Sequence, residues 1–346
     1  MLICGKCSFG VNSTLFLCNN QKTLVKTTSL LCSTLAIASL LGFSLTSQAG
    51  NETSPKETTP VATEKAPPLP IHTIEGVGGL VITPIAYLVN PGPSGTTFGL
   101  PSISTTYVNI GRKDLETAAI TETLFGRVEL GYGIDRLGTG TLPDDVKAVT
   151  TISIPDNVVL HNFNARVLAL PENSFDLPLP AVTMGACYKF NEGISSINKD
   201  LGNLLNTIGY KSNNGVDFTL TATKAFPKVL GHPLIATAGL RWSEADQLGF
   251  FGFSNKYHTT FESNLAYGIA DWLWLAAEFR GNADAYQHIA NPNGGSLVDR
   301  ADNWWAVGVT ALLSRHATVT VGWGHLGPVL NTTENKCLGI QVKYEL

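Results

Sequence analysis

The sequence predicts an all-β fold: an antiparallel transmembrane β-barrel of about 12 strands, with one short amphipathic helix in a connection. Three observations predict it. The first residues have the character of an export signal, the remainder is apolar without any run long enough for a spanning helix, and short alternating segments recur as far as the last residue.

Residues 1–49 contain Lys6, Lys22 and Lys26 and no acidic side chain. An uncharged run from Thr27 to Leu45 follows, and Ser47-Gln48-Ala49 then places small residues at the two positions a signal peptidase reads. A cleaved secretory signal is therefore expected at 1–49. A retained anchor is the competing reading, because the uncharged run is nearly long enough to span a bilayer. Residues 50–70 are rich in Pro, Thr, Glu and Lys (Pro55, Pro60, Pro67, Pro68, Pro70) and are expected to form a disordered linker. From Ile71 to Leu346 the texture is uniform, so residues 71–346 are read as one outer-membrane β-barrel domain.

Charge and cysteine content narrow the function classes. Without the leader lysines, 20 basic residues face 27 acidic ones, a net of −7, which gives no basic face for nucleic acid. Four of the six cysteines fall in the leader. Cys187 and Cys337 remain, 150 positions apart, a spacing that fits neither a disulfide framework nor a metal site. One disulfide and two free thiols are both open.

The strands are read from period-two alternation. Val128, Leu130, Tyr132 and Ile134 share one phase against Arg127, Glu129, Gly131, Gly133 and Asp135. Val216, Phe218, Leu220 and Ala222 alternate with Asp217 and three threonines, and Leu234 to Trp242 alternate with Thr237, Gly239 and Arg241. Trp305, Val307 and Val309 oppose Ala306, Gly308 and Thr310; Val319, Val321 and Trp323 oppose Thr320, Gly322 and Gly324. In a barrel the apolar phase meets outer-membrane lipid and the small or polar phase lines the lumen.

The last strand sets Leu338, Ile340, Val342, Tyr344 and Leu346 against Gly339, Gln341, Lys343 and Glu345. An apolar terminus with an aromatic two residues earlier resembles the signal read by the barrel-assembly machinery. A chain end with such a face needs a partner strand, and Gly79 to Leu88 is the expected one.

Six tryptophans, Trp242, Trp272, Trp274, Trp304, Trp305 and Trp323, lie near strand ends, where an interfacial aromatic girdle is expected. Between strands, Ile194, Ile197, Leu201, Leu204, Leu205 and Ile208 recur at helical spacing. They predict an amphipathic helix, placed either as a plug or lid or on the rim.

Three stretches carry a resemblance: Ile74-Glu75-Gly76-Val77-Gly78-Gly79 with Pro84; Gly215-Val216-Asp217-Phe218 with Thr221-Ala222-Thr223-Lys224; and Leu240 through Phe253. They resemble a family of exported Gram-negative proteins classified only as a domain of unknown function and regarded as outer-membrane barrels. Ser254-Asn255 depart from that pattern. The resemblance implies the architecture and supplies no substrate or catalytic residue.

No catalytic motif is present, and the seven histidines are scattered rather than paired at ligand spacing, so no enzyme, metal or cofactor is expected. The candidate site is a set of ionisable residues on the inner phase: Arg127, Glu129, Arg166, Asp217, Arg241, Glu262, Glu278 and Arg280. In a wide lumen such charges set ion selectivity; in a narrow one they pair and fill it. The expected function is a passive outer-membrane channel or transporter for a small-molecule solute. A structural or interaction barrel with a filled lumen is the alternative.

Overall fold

The computed structural model describes residues 71–93 and 95–346. The expected signal at 1–49 and linker at 50–70 lie outside the described residues. Twelve strands form one closed antiparallel barrel in which every strand pairs with its sequence neighbour. They are β1 Ser102–Ile110, β2 Lys113–Leu124, β3 Val128–Gly138, β4 Asn157–Leu170, β5 Ala181–Asn191 and β6 Asn214–Val229. The circuit continues with β7 His232–Ala245, β8 Phe253–Ala270, β9 Leu273–Arg280, β10 Trp304–Leu312, β11 Ala317–His325 and β12 Cys337–Glu345. Closure leaves no strand edge unpaired, which is the condition for a sheet to sit in lipid.

Apart from Arg127, the predicted phases are those observed. In β12, Lys343 is 1% exposed while its neighbours Val342 and Tyr344 are 45% and 46% exposed. Phe218, Leu240, Val307 and Ile340 likewise face out, and Asp217, Arg241, Thr310 and Gln341 face in.

The closing strand is different from the one expected. β12 pairs with β1, from Leu338 opposite Asn109 to Glu345 opposite Ser102. Residues 79–88 instead lie inside the lumen. Ile71 to Val89 form a plug, buried except for half-buried Val81 and Tyr87. Inside it, Ile71–His72 pairs with Gly78–Gly79, and Gly79 bridges to Pro84. Pro84 has no N–H to give a sheet ladder, and the Leu80-Val81-Ile82 run lacks alternation, so this segment has no solvent or lipid face to offer.

The wall makes room for the plug with glycine. A Cβ at Gly131 of β3 would stand 2.1 Å from the Gly76 carbonyl oxygen, and one at Gly133 would stand 2.9 Å from that of Glu75. The plug backbone therefore lies directly on bare strand backbone.

The two ends of the barrel differ. At one end the connections are mostly tight turns, such as Leu230-Gly231 between β6 and β7. At the other, long loops fold together as a cap. The cap holds α1 Leu142–Thr150, α2 Ile194–Asp200, α3 Leu205–Ile208, a turn at Gln247–Gly249 and two small hairpins. Leu142, Val146, Ile194, Ile197, Phe250 and Leu297 share its apolar core.

The single helix expected over 194–208 is thus two short ones. Asn198 breaks it: its side-chain oxygen accepts from the Leu205 N–H at 3.0 Å, and its amide donates to Asn206 at 2.9 Å. Gly202 and Asn203 between the helices have φ of 66° and 65°. A side chain that competes for backbone donors ends a helix that apolar spacing alone would continue.

Gly131→Val is expected to expel the plug although valine favours strands, because its Cβ collides with plug backbone. Limited proteolysis that cuts 71–89 in the variant, with the folded barrel still migrating differently before and after boiling, checks this. Continued protection of the segment would contradict it.

Candidate functional site

The plug and the inner wall meet in a buried ionic cluster of six groups. Glu75 of the plug is its hub. Its carboxylate lies 2.5 Å from Lys189 Nζ (β5), 3.0 Å from Arg241 Nη2 (β7) and 2.7 Å from Arg280 Nη1 (β9). Asp217 (β6) accepts from Lys189 and Arg241 at 2.8 Å each, and Glu262 (β8) accepts from Arg241 Nε at 2.6 Å. Three cations and three anions cancel, which a water-poor interior requires.

Two further carboxylates hold the plug by its backbone. Glu129 (β3) accepts from the Gly78 and Val89 N–H groups at 3.1 and 2.9 Å, and from Arg166 (β4) through Nε and Nη2 at 2.9 Å each. Glu278 (β9) accepts from the N–H groups of Val81, Ile82 and Thr83 at 2.8–3.0 Å and from the Thr83 hydroxyl at 2.8 Å. Plug carbonyls are met in turn: Arg166 Nη1 donates to Ile85 O at 2.7 Å, Asn164 to Glu75 O at 2.6 Å, and Gln341 to His72 O at 2.8 Å. An irregular segment inside a barrel needs partners for its backbone groups, and the plug finds them both in its own backbone and in wall side chains.

Of the eight charged residues expected on the lumen, Glu129, Arg166, Asp217, Arg241, Glu262, Glu278 and Arg280 are buried on it and meet one another or the plug. Arg127 stands apart, exposed in the turn between β2 and β3, with Nη1 3.4 Å from Leu168 O. Its period-two phase fails because β3 begins one residue later. Lys189 and Glu75 lie outside the set of luminal charges that the sequence predicts. Lys189 shares the inner phase with Cys187 and was legible by alternation; Glu75 is the one charge in an otherwise apolar run.

Among the girdle residues, Trp272, Trp305 and Trp323 are exposed and Trp242 is half-buried on the outer phase. The Trp305 and Trp323 rings meet edge-on at 5.0 Å. Trp274 and Trp304 are corrections: both point inward, Trp274 against Ile235 and Ala266, Trp304 into the cap core. They occupy the luminal phase of β9 and β10, which proximity to a strand end does not reveal. Cys187 and Cys337 are buried free thiols. Among the described residues no group of three or more His, Cys, Asp or Glu is placed to hold a metal.

Fold and site together define a closed β-barrel with an apolar exterior and a lumen occupied by residues 71–89. The chain belongs to the family described as protein of unknown function (DUF3034), which it matches over residues 70–343. No curated protein matches it. Among solved structures it is similar to the KdgM porin (11% identity, TM-score 0.44, covering 71% of this chain and 99% of that one). It is also similar to the NanC porin (12%, 0.41, 71% and 100%) and to LpxR from Salmonella typhimurium (9%, 0.39, 71% and 100%). The three stretches that carried the family resemblance meet in space: Glu75, Asp217 and Arg241 are members of one ionic cluster.

Glu75→Gln leaves three buried cations facing two anions. Breaking one member of such a group costs about 3–5 kcal/mol. The urea midpoint of unfolding, followed by tryptophan emission, is expected to fall accordingly; a loss under about 1 kcal/mol would contradict the hub role.

Asp246, between β7 and the Gln247–Gly249 turn, is buried in the cap. Burial, and then the charge of Asp284, push its carboxyl up to about 7. An unfolded chain loses that proton near pH 4. Between about pH 4 and 7 the folded cap thus binds more protons, so its stability falls as pH rises through that window. Hydrogen-exchange protection of the cap loops, corrected for intrinsic rates, is expected to fall across it, and Asp246→Asn is expected to flatten the profile. A flat profile in the unchanged chain would contradict this.

Proposed function

We propose that the protein is a β-barrel of a Gram-negative outer membrane that serves the passage of small molecules and is held shut at rest by residues 71–89. The apolar exterior and strands of 8–18 residues suit a bilayer core. Short turns at one end and long loops at the other are the outer-membrane pattern, with the short turns periplasmic. The export leader and the apolar end of β12 fit delivery to the barrel-assembly machinery. No catalytic step or cofactor enters this reading.

The observation that carries it is the double clamp on the plug: Glu129 and Glu278 spend their oxygens on its backbone N–H groups. Luminal charges so engaged cannot act as a selectivity ring, and passage requires the plug to move. The clamp consists of hydrogen bonds to side chains and not of strand pairing with the wall, so its release leaves the barrel ladder intact. A second reading, a structural or interaction barrel that meets partners through its long loops such as Asn282 to Asn303, is favoured by the continuous apolar core of the cap.

In planar bilayers the unchanged chain is expected to be silent, and the Glu129→Ala, Glu278→Ala double variant to give discrete conductance steps. Steps from the unchanged chain would sink the closed state. A heat-modifiable double variant that is silent although its plug has become protease-sensitive would favour the structural reading.

A further inference from the structure

Between the plug and the cap, on the side of β10, β11, β12 and β1, lies a cavity. Ile74, Leu80 and Ile82 of the plug bound it on one side, and Leu248, Phe250 and Trp304 on another. It exists because the inner phase of the wall is here glycine: Gly308, Gly322, Gly324 and Gly339 offer backbone where other strands offer filling side chains. Its lining is predominantly apolar, as in small-molecule sites.

Two of the polar residues that break that lining each carry one atom without a hydrogen-bond partner. Gln247 and Gln341 both line the cavity and are 5% and 2% exposed. The Gln247 oxygen accepts from the Leu330 N–H at 3.3 Å, which leaves its Nε2 without a partner. The Gln341 nitrogen donates to His72 O and to Thr106 Oγ1 at 2.8 Å each, which leaves its Oε1 without a partner. One buried donor and one buried acceptor are thus unsatisfied beside an apolar space, an arrangement that is costly unless something supplies the missing bonds. Glu278 also lines the cavity, but the plug occupies its oxygens, and no cationic side chain lines it at all.

We propose that this cavity binds a small, neutral, mainly apolar molecule that carries a hydroxyl group. A hydroxyl both accepts and donates, and so suits either free amide atom. A carboxylate would enter without a counter-charge. A plain hydrocarbon would leave both amides unsatisfied. The proposal rests on the plug-closed barrel, because the plug supplies one side of the cavity.

The test uses the full chain in lipid nanodiscs with 1-naphthol as probe, read by quenching of tryptophan emission against empty nanodiscs. Saturable one-to-one binding is expected, with naphthalene and 1-naphthoate each about tenfold weaker, a difference of about 1.4 kcal/mol. Gly322→Leu fills the space from the wall; its Cβ would meet only Val307 O at 3.4 Å and Gly308 Cα at 3.9 Å. That variant is expected to bind at least about tenfold more weakly while keeping its heat-modifiable mobility. Gln247→Leu is expected to bring 1-naphthol and naphthalene closer in affinity. Uptake that never saturates, or binding untouched by Gly322→Leu, overturns the site. Conductance of the same preparations separates the two claims. A silent bilayer without saturable binding overturns the ligand site and leaves the closed barrel standing, whereas steps from the unchanged chain overturn both.

Discussion

A carboxylate sealed inside a barrel needs counter-charges within reach, and the placement of Glu75 among Lys189, Arg241 and Arg280 is the constraint on which the arrangement of the lumen depends. Those cations come from three different strands, and Asp217 and Glu262 complete the balance from two more. Five consecutive strands, β5 to β9, are thereby referred to one point on the plug. Buried ion groups of this kind contribute little net stability compared with an apolar filling. What they supply here is position: a plug shifted by one residue would leave a bare charge on each side.

The plug backbone sets the second requirement. Beyond the Ile71–His72 and Gly78–Gly79 pair and a few turns within itself, it takes its partners from wall side chains. Glu129 and Glu278 answer its donors, and Asn164, Arg166 and Gln341 answer its acceptors. The inner phase is thus polar because it faces peptide groups, with glycine where the two backbones touch. Where the wall has glycine and the plug lies farther off, the apolar cavity remains.

Alternation made the wall legible. Each strand with one apolar phase was readable because side chains have a period of two and only one phase meets lipid. The same rule placed seven of the eight charged candidates and would have placed Lys189. It has no power over what fills the lumen. Gly79 to Leu88 is apolar like a strand; Pro84 and the missing alternation count against it, and the pairing of β12 with Ser102–Ile110 decides. Asn198 and the inward Trp274 and Trp304 were hidden for a related reason: a competing hydrogen bond or a strand phase decides them, and neither is a property of the residue type. The family stretches were visible as motifs, but their common purpose appears only when Glu75, Asp217 and Arg241 are seen to touch.

The electrical balance of the cluster has a consequence for the medium in which the protein works. Mobile ions screen exposed charges from one another, almost completely beyond about 8–10 Å at ordinary ionic strength. They do so by entering the space around those charges, and the six groups at the hub are buried, with no net charge to draw a counterion in. The hold on the plug is therefore indifferent to salinity: fresh water and brine present it with the same ionic lock.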